Sequence, residues 1–235
     1  MQDYQRRFVD FLVECGAFRL GEFTLKSGRK SPTFVNTGLV EDGFGLLRLG
    51  EAYAGRLIEA VGKDGFDSVF GPAYKGVPLA VATVVALARD GVRKPYLFDR
   101  KERKTHGEEA SAKADAAALL VGHRPAAGER IVLVDDVLTT GATKAEAVTL
   151  LRSLVEGVRF PALVIAVDRQ ETGPDGRDAA SAFTAETGIP VVAAVTMTQV
   201  LSHLGETGRL AATDRSRCAD YLRAYGTPAA KAWAS

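Results

Sequence analysis

Two adjacent carboxylates, Asp135 and Asp136, stand between an apolar run, Ile131-Val132-Leu133-Val134, and a turn reading Val137-Leu138-Thr139-Thr140-Gly141-Ala142-Thr143. The acids would repel a phosphate, so they suit the hydroxyls of a sugar diol, or a metal. Thr139, Thr140 and Thr143 supply hydroxyl donors, and Gly141 lets the main chain approach a ligand closely. From Lys144 onward the apolar residues Ala147, Val148, Leu151, Leu154 and Val155 recur at helical spacing, so the turn opens a helix. A helix N-terminus offers unpaired N–H groups and a positive dipole end to an anion. Diol acids and a phosphate cradle placed side by side fit a phosphorylated ribose. Taken singly, each feature has an ordinary reading: adjacent aspartates often cap a loop, and Thr-Thr-Gly is a common turn. It is the ordered set that points to a ligand.

These residues need a scaffold, and the periodicity supplies one. The branched apolar run predicts a strand buried on both faces. Residues 3–16 predict an amphipathic helix with Phe8, Phe11, Leu12 and Cys15 on one stripe. Residues 17–37 predict a hairpin turning near Gly28, with Lys26, Arg29 and Lys30 at its tip. Helices are expected over 43–61, 77–90, 178–187, 197–204 and 213–225, and strands over 67–71, 95–98, 162–167 and 190–195. The loop 71–78 carries Tyr74 and Lys75 at a strand's carboxyl end, where ligands of open α/β sheets bind. An ordinary βα loop with a surface lysine is the competing reading of that stretch. Residues 99–109 are densely charged, with Arg100, Lys101, Arg103, Lys104 and His106, and have nothing apolar to bury. They face solvent or a charged ligand. The Ala-rich stretch 110–127 suggests a short helix, and the tail 227–235 reads as loose. Strands alternating with helices imply an α/β fold: a central, mostly parallel sheet flanked by helices, with the hairpin as a small N-terminal hood.

Composition narrows the function classes. The 235 residues carry a net charge of +1, which implies no bulk polyanion binding. Cys15 and Cys218 are far apart and form no CxxC, which argues against a disulfide framework or a zinc site. No apolar run reaches transmembrane length. The charged first twenty residues are no signal peptide. The expectation is a cytoplasmic protein with one domain over 1–235. Residues 1–40 and C-terminal segments would form the hood, and 99–128 a mobile lid.

The thirteen residues from Ile131 to Thr143 resemble the phosphoribosyl pyrophosphate (PRPP) motif of the type I phosphoribosyltransferases. Within that class, the chain is similar to the orotate phosphoribosyltransferases over residues 4–225. The resemblance is carried by Phe-Thr-Leu-Lys-Ser-Gly-Arg-Lys-Ser-Pro at 23–32 and Phe-Gly-Pro-Ala-Tyr-Lys-Gly at 70–76. Further marks are Arg-Lys-Glu-Arg-Lys-Thr-His-Gly-Glu at 100–108 and Asp-Arg-Gln-Glu at 168–171. It implies transfer of phosphoribosyl from PRPP to orotate, giving orotidine 5′-phosphate and diphosphate, a step of pyrimidine synthesis. It also implies Mg²⁺, held mainly by PRPP and water. Thr139 to Thr143 would hold the 5′-phosphate, Val137 and Leu138 would also contact PRPP, and Asp135 and Asp136 would bind the ribose hydroxyls. Tyr74, Lys75 and Arg100 would meet the diphosphate, with Lys104 and His106 arriving on the lid. Arg169, the main chain around Phe34 and Val35, Thr139 and Lys26 would hold orotate. Lys26 and Lys101 would reach the neighbouring subunit's PRPP in a homodimer. Lys104 or His106 is the candidate proton carrier. Without the other motifs, Arg169 would read as a strand-end arginine in a surface ion pair.

Two departures stand out. After Gly107-Glu108 the family pattern continues with glycines, but here Glu109-Ala110-Ser111 follow, and the segment is lengthened up to Ala127. An aromatic pair of some relatives is Phe34-Val35 here. A purine-type transferase would not need Lys26–Pro32 or Arg169. A PRPP-sensing regulator would need a nucleic-acid-binding face, and none is evident. GxxxxGK[ST] is absent, which disfavours a P-loop hydrolase.

Overall fold

The computed structural model describes residues 1–25, 28–100, 119–138, 141–173 and 176–235. In chain order the strands are β1 (Phe18–Thr24), β2 (Lys30–Val35), β3 (Ser68–Phe70), β4 (Tyr96–Asp99), β5 (Leu120–Gly122), β6 (Ile131–Asp135), β7 (Leu163–Asp168) and β8 (Val191–Thr196). The helices are α1 (Asp3–Glu14), α2 (Gly43–Val61), α3 (Gly76–Arg89), α4 (Ala142–Leu154), α5 (Ala179–Thr187), α6 (Met197–Glu206), α7 (Ala212–Tyr225) and α8 (Pro228–Trp233).

Among the described residues, six strands form one sheet in the order β5-β4-β3-β6-β7-β8. All neighbours run parallel except β5, which pairs antiparallel with β4 at the edge. The continuous apolar run of β6 is explained by burial of every residue on it. Val132 and Val134 enter the core shared with α1, α2, α3 and α6. Ile131 and Leu133 enter the opposite core, with Ala147, Val148 and Leu151 of α4 and Phe183 of α5. Each such fully buried side chain contributes about 1.5–3 kcal/mol of transfer free energy. Asp42 caps α2 by accepting from Gly45 N, and Thr196 caps α6 by accepting from Gln199 N.

β1 and β2 form the separate two-stranded hairpin, in register Phe18↔Val35 and Leu20↔Thr33, with a bulge between Leu20 and Phe23. Helix α7 holds it down. Arg217 donates to Gly21 O at 3.0 Å, and the Arg29 guanidinium lies 4.7 Å from the Tyr225 ring centre.

Two expectations are corrected. The end of the Ala-rich stretch is strand β5 rather than helix, because Leu120 and Val121 pair with Asp99 and Phe98. Residues 101–118 lie outside the described residues. The tail is not loose. Thr227 and Pro228 start α8, whose Ala230 is fully buried and whose Trp233 Nε1 donates to Ser202 Oγ at 2.8 Å. Helix propensity and a capping Thr-Pro pair were present in the sequence, but the surface that receives the tail is formed only by folding.

Candidate active site

The sheet order brings four strand ends together. From β3 the chain passes outward to β4, then returns across to β6 and on to β7, so the crossovers diverge between β3 and β6. At such a switch point the loops beyond the carboxyl ends part and leave a crevice. Beyond β3 lie Tyr74 and Lys75; beyond β4, Arg100; beyond β6, Asp136 to Thr143; beyond β7, Arg169.

The β3 loop is tightly folded. A Cβ on Gly71 would sit 2.0 Å from Gly76 O, so only glycine permits this close return of the chain. Ala73 N donates to Asp99 Oδ1 at 2.7 Å, tying the loop to the end of β4. Tyr74 is 73% exposed. Lys75 reaches Asp136, with Nζ 2.6 Å from Oδ2.

The acid pair is built into the sheet end. Asp135 and Asp136 are both buried. The Tyr53 hydroxyl, on α2 and fully buried, donates to the Asp135 carbonyl at 2.7 Å. Asp136 N donates to Asp135 Oδ1 at 2.8 Å, and Val137 N to Asp136 Oδ1 at 2.7 Å. Lys144, on the first turn of α4, places Nζ 2.5 Å from Asp135 Oδ2. Burial pushes the Asp135 carboxyl above its ordinary range, and Lys144 is the main group opposing that.

At the start of α4, Gly141 takes φ 76°, a left-handed conformation that glycine adopts without strain, and among the described residues no side chain caps the helix. Ala142 and Thr143 are exposed there, so the helix start opens to solvent. Arg169 Nη2 pairs with Glu171 Oε1 at 2.5 Å. Burial likewise raises the neighbouring Asp168 carboxyl. Arg29 Nη1 donates to Thr172 O at 2.6 Å, joining the hairpin to the segment after Arg169. Phe34 stacks on Phe23 at 5.2 Å, with the Arg19 guanidinium 5.3 Å from its ring centre, and Val35 pairs with Phe18.

The structure thus gathers Tyr74, Lys75, Arg100, Asp135, Asp136, the 141–143 helix start and Arg169 at the carboxyl ends of the sheet's strands. Lys26, Lys101, Lys104, His106, Thr139 and Thr140 lie outside the described residues. Lys144, Tyr53, Asp99 and Glu171 were missed in the sequence. Lys144 alone left a signal: a cation in the first turn of a helix has the wrong sign for the dipole and calls for a partner. Among the described residues, no group of three or more His, Cys, Asp or Glu could hold a metal ion. No described helix is long and apolar enough to cross a membrane.

Comparison with known proteins supplies the family. The phosphoribosyl transferase domain matches residues 40–191. The orotate phosphoribosyltransferase of Methylococcus capsulatus is 43% identical over 228 residues, covering 97% of this chain and all of its own. The chain belongs to the orotate phosphoribosyltransferase family. That of Pseudomonas aeruginosa is 44% identical over 211 residues, covering 89% of this chain and 92% of its own. The crystal structure of orotate phosphoribosyltransferase from Francisella tularensis superposes with a TM-score of 0.79 at 32% identity, covering 94% of this chain and all of its own. The acid pair and the open helix start therefore lie in a type I phosphoribosyltransferase fold.

Proposed function

We propose that this chain transfers the phosphoribosyl group of PRPP to orotate, giving orotidine 5′-phosphate and diphosphate in pyrimidine synthesis. The observation that carries the reading is the acid pair beside a helix start exposed at Ala142 and Thr143, faced by the Lys75 loop, in a chain 43% identical to an orotate phosphoribosyltransferase along nearly its whole length. The bond from the anomeric carbon to diphosphate oxygen breaks, and its electron pair leaves with diphosphate. Orotate N1 bonds to that carbon and its proton is lost, with Lys104 or His106 as the candidate carrier.

Thr139 to Thr143 hold the 5′-phosphate through N–H groups and hydroxyls. Asp135 and Asp136 accept hydrogen bonds from the ribose hydroxyls, and their charge favours a positive sugar carbon in the transition state. Lys75 then exchanges Asp136 for diphosphate, joined by Tyr74, Arg100 and Lys104. Arg169 grips the orotate carboxylate through donors not spent on Glu171. Lys26, Thr139 and the main chain at Phe34 and Val35 hold the ring. Both acids are already paired with lysines, so Mg²⁺ would be held mainly by PRPP and water rather than by these carboxylates. When bound, it would supply positive charge for the departing diphosphate. A homodimer in which Lys26 and Lys101 serve the partner's site, working in the cytoplasm, completes the reading.

The test is to mix the protein with PRPP and Mg²⁺, offer orotate, uracil and hypoxanthine separately, and follow loss of each base. Orotate alone should be consumed, and Arg169→Gln should raise its KM far more than that of PRPP. Consumption of hypoxanthine instead would assign a purine-type enzyme, and no turnover of any base would remove the assignment.

A further inference from the structure

The two lysines on the acid pair are not equivalent. Lys75 is on a loop and its side chain is 58% exposed, so its ion pair with Asp136 can open into water when a ligand arrives. Lys144 is on a helix, and its side chain and that of Asp135 are each 10% exposed. A lysine buried this deeply persists only if its charge is matched. Its position adds to the demand, because a cation in the first turn of α4 opposes the helix dipole. Asp135 is the partner that meets both demands. In return, Lys144 fixes Oδ2 of Asp135 while Asp136 N fixes Oδ1. An ionised carboxylate has about four acceptor positions, so a sugar hydroxyl still finds one open.

We propose that Lys144 is a positioning residue of the sugar site, a permanent counter-charge that keeps Asp135 ionised and aimed at the ribose diol. The proposal rests on the PRPP reading given above. Among the described residues, the following charged and titratable groups face Asp135. From α4 comes Lys144; from α2, the Tyr53 hydroxyl on the Asp135 carbonyl; from the same loop, Asp136, itself paired with Lys75 of the β3 loop. Burial and the like charge of Asp136 both favour the neutral acid, and Lys144 opposes them. Without Lys144, Asp135 takes up a proton at higher pH. A neutral acid loses acceptor capacity toward the sugar and its attraction for a positive anomeric carbon.

The test compares wild type, Lys144→Met and Lys144→Arg in PRPP binding by calorimetry and in the pH profile of kcat/KM for PRPP. Lys144→Met should move the acid limb of that profile upward by about one pH unit or more. Near neutral pH it should lower kcat/KM for PRPP by at least about tenfold, leaving the KM for orotate nearly unchanged. Lys144→Arg, which keeps the charge, should return the limb toward its wild-type position. Should Lys144→Met fail to fold, the double variant Asp135→Asn/Lys144→Met removes both charges; it should fold and bind PRPP more weakly than wild type. An unmoved acid limb with wild-type PRPP affinity in Lys144→Met would overturn the proposal and leave the enzyme assignment standing. A uniform loss at every pH that Arg does not rescue would also overturn it, since that marks a purely structural role. A double variant that stays unfolded, or binds PRPP as tightly as wild type, would do the same. A wild-type protein that binds no PRPP would bring down both readings.

Discussion

Replacing Gly71 by alanine isolates the role of the tight β3 loop. The added methyl would lie 2.0 Å from Gly76 O, 2.4 Å from Gly76 C and 2.9 Å from the Ala80 methyl. Real Cβ contacts stay beyond 3.0 Å, so the chain at Gly76 must retreat by about 1 Å. Gly71 cannot do the moving, because its N–H donates to Leu97 O at 3.1 Å inside the sheet. The displacement therefore falls on residues 72–76, which carry Tyr74 and Lys75. A misplacement of about 1 Å at a positioning group costs about 100-fold in rate, or about 2.7 kcal/mol of transition-state stabilisation. Overpacking of this kind destabilises by about 1–3 kcal/mol, which at this chain length lowers Tm by about 2–12 °C. Gly71→Ala should therefore stay folded at room temperature and lose about two orders of magnitude in kcat/KM for PRPP. Steady-state kinetics with PRPP varied, beside a thermal melt, measures both. A variant within about threefold of wild type would refute the claim that this loop's close return positions Lys75.

Tyr53→Phe removes the buried hydroxyl that donates to the Asp135 carbonyl, and should cost about 1–3 kcal/mol in urea unfolding; a difference below about 0.3 kcal/mol would show that the carbonyl is satisfied otherwise. Asp67 is held at about 2, chiefly by hydrogen bonds from Arg130 with burial working against them. Its folded-state pKa lies below the unfolded value of about 3.9, so its contribution is present above about pH 4 and is lost as pH falls toward about 2. The side chain is 39% exposed, so the pair is worth only about 0.2–1 kcal/mol. Asp67→Asn should lower stability slightly at neutral pH and flatten its fall on acidification, and urea midpoints that run parallel to wild type down to about pH 3 would count against this.

Much of the site was legible in the linear chain. Strand β6 with its acids, the helix start at 141–143 and the loop bearing Lys75 all follow from local rules, because a doubly buried strand and a helix onset each leave a short-range pattern. The α2 boundaries, Gly43–Val61, were equally readable from periodicity. Sheet order fell outside that reach. The meeting of Lys75 with Asp136, 61 positions apart in sequence, depends on β3 pairing with β6. Edge strand β5 is made a strand by β4, against the helical leaning of the alanines before it. Helix α8 is ordered by the groove that buries Ala230 and by Ser202, which receives Trp233. Lys144 shows the division most plainly: its charge and helical position are written in the sequence, but burial against Asp135 arises only when helix and strand pack. Local patterns choose secondary structure because they act over a few residues, whereas the partner of a buried charge is chosen by whatever the folded chain sets against it.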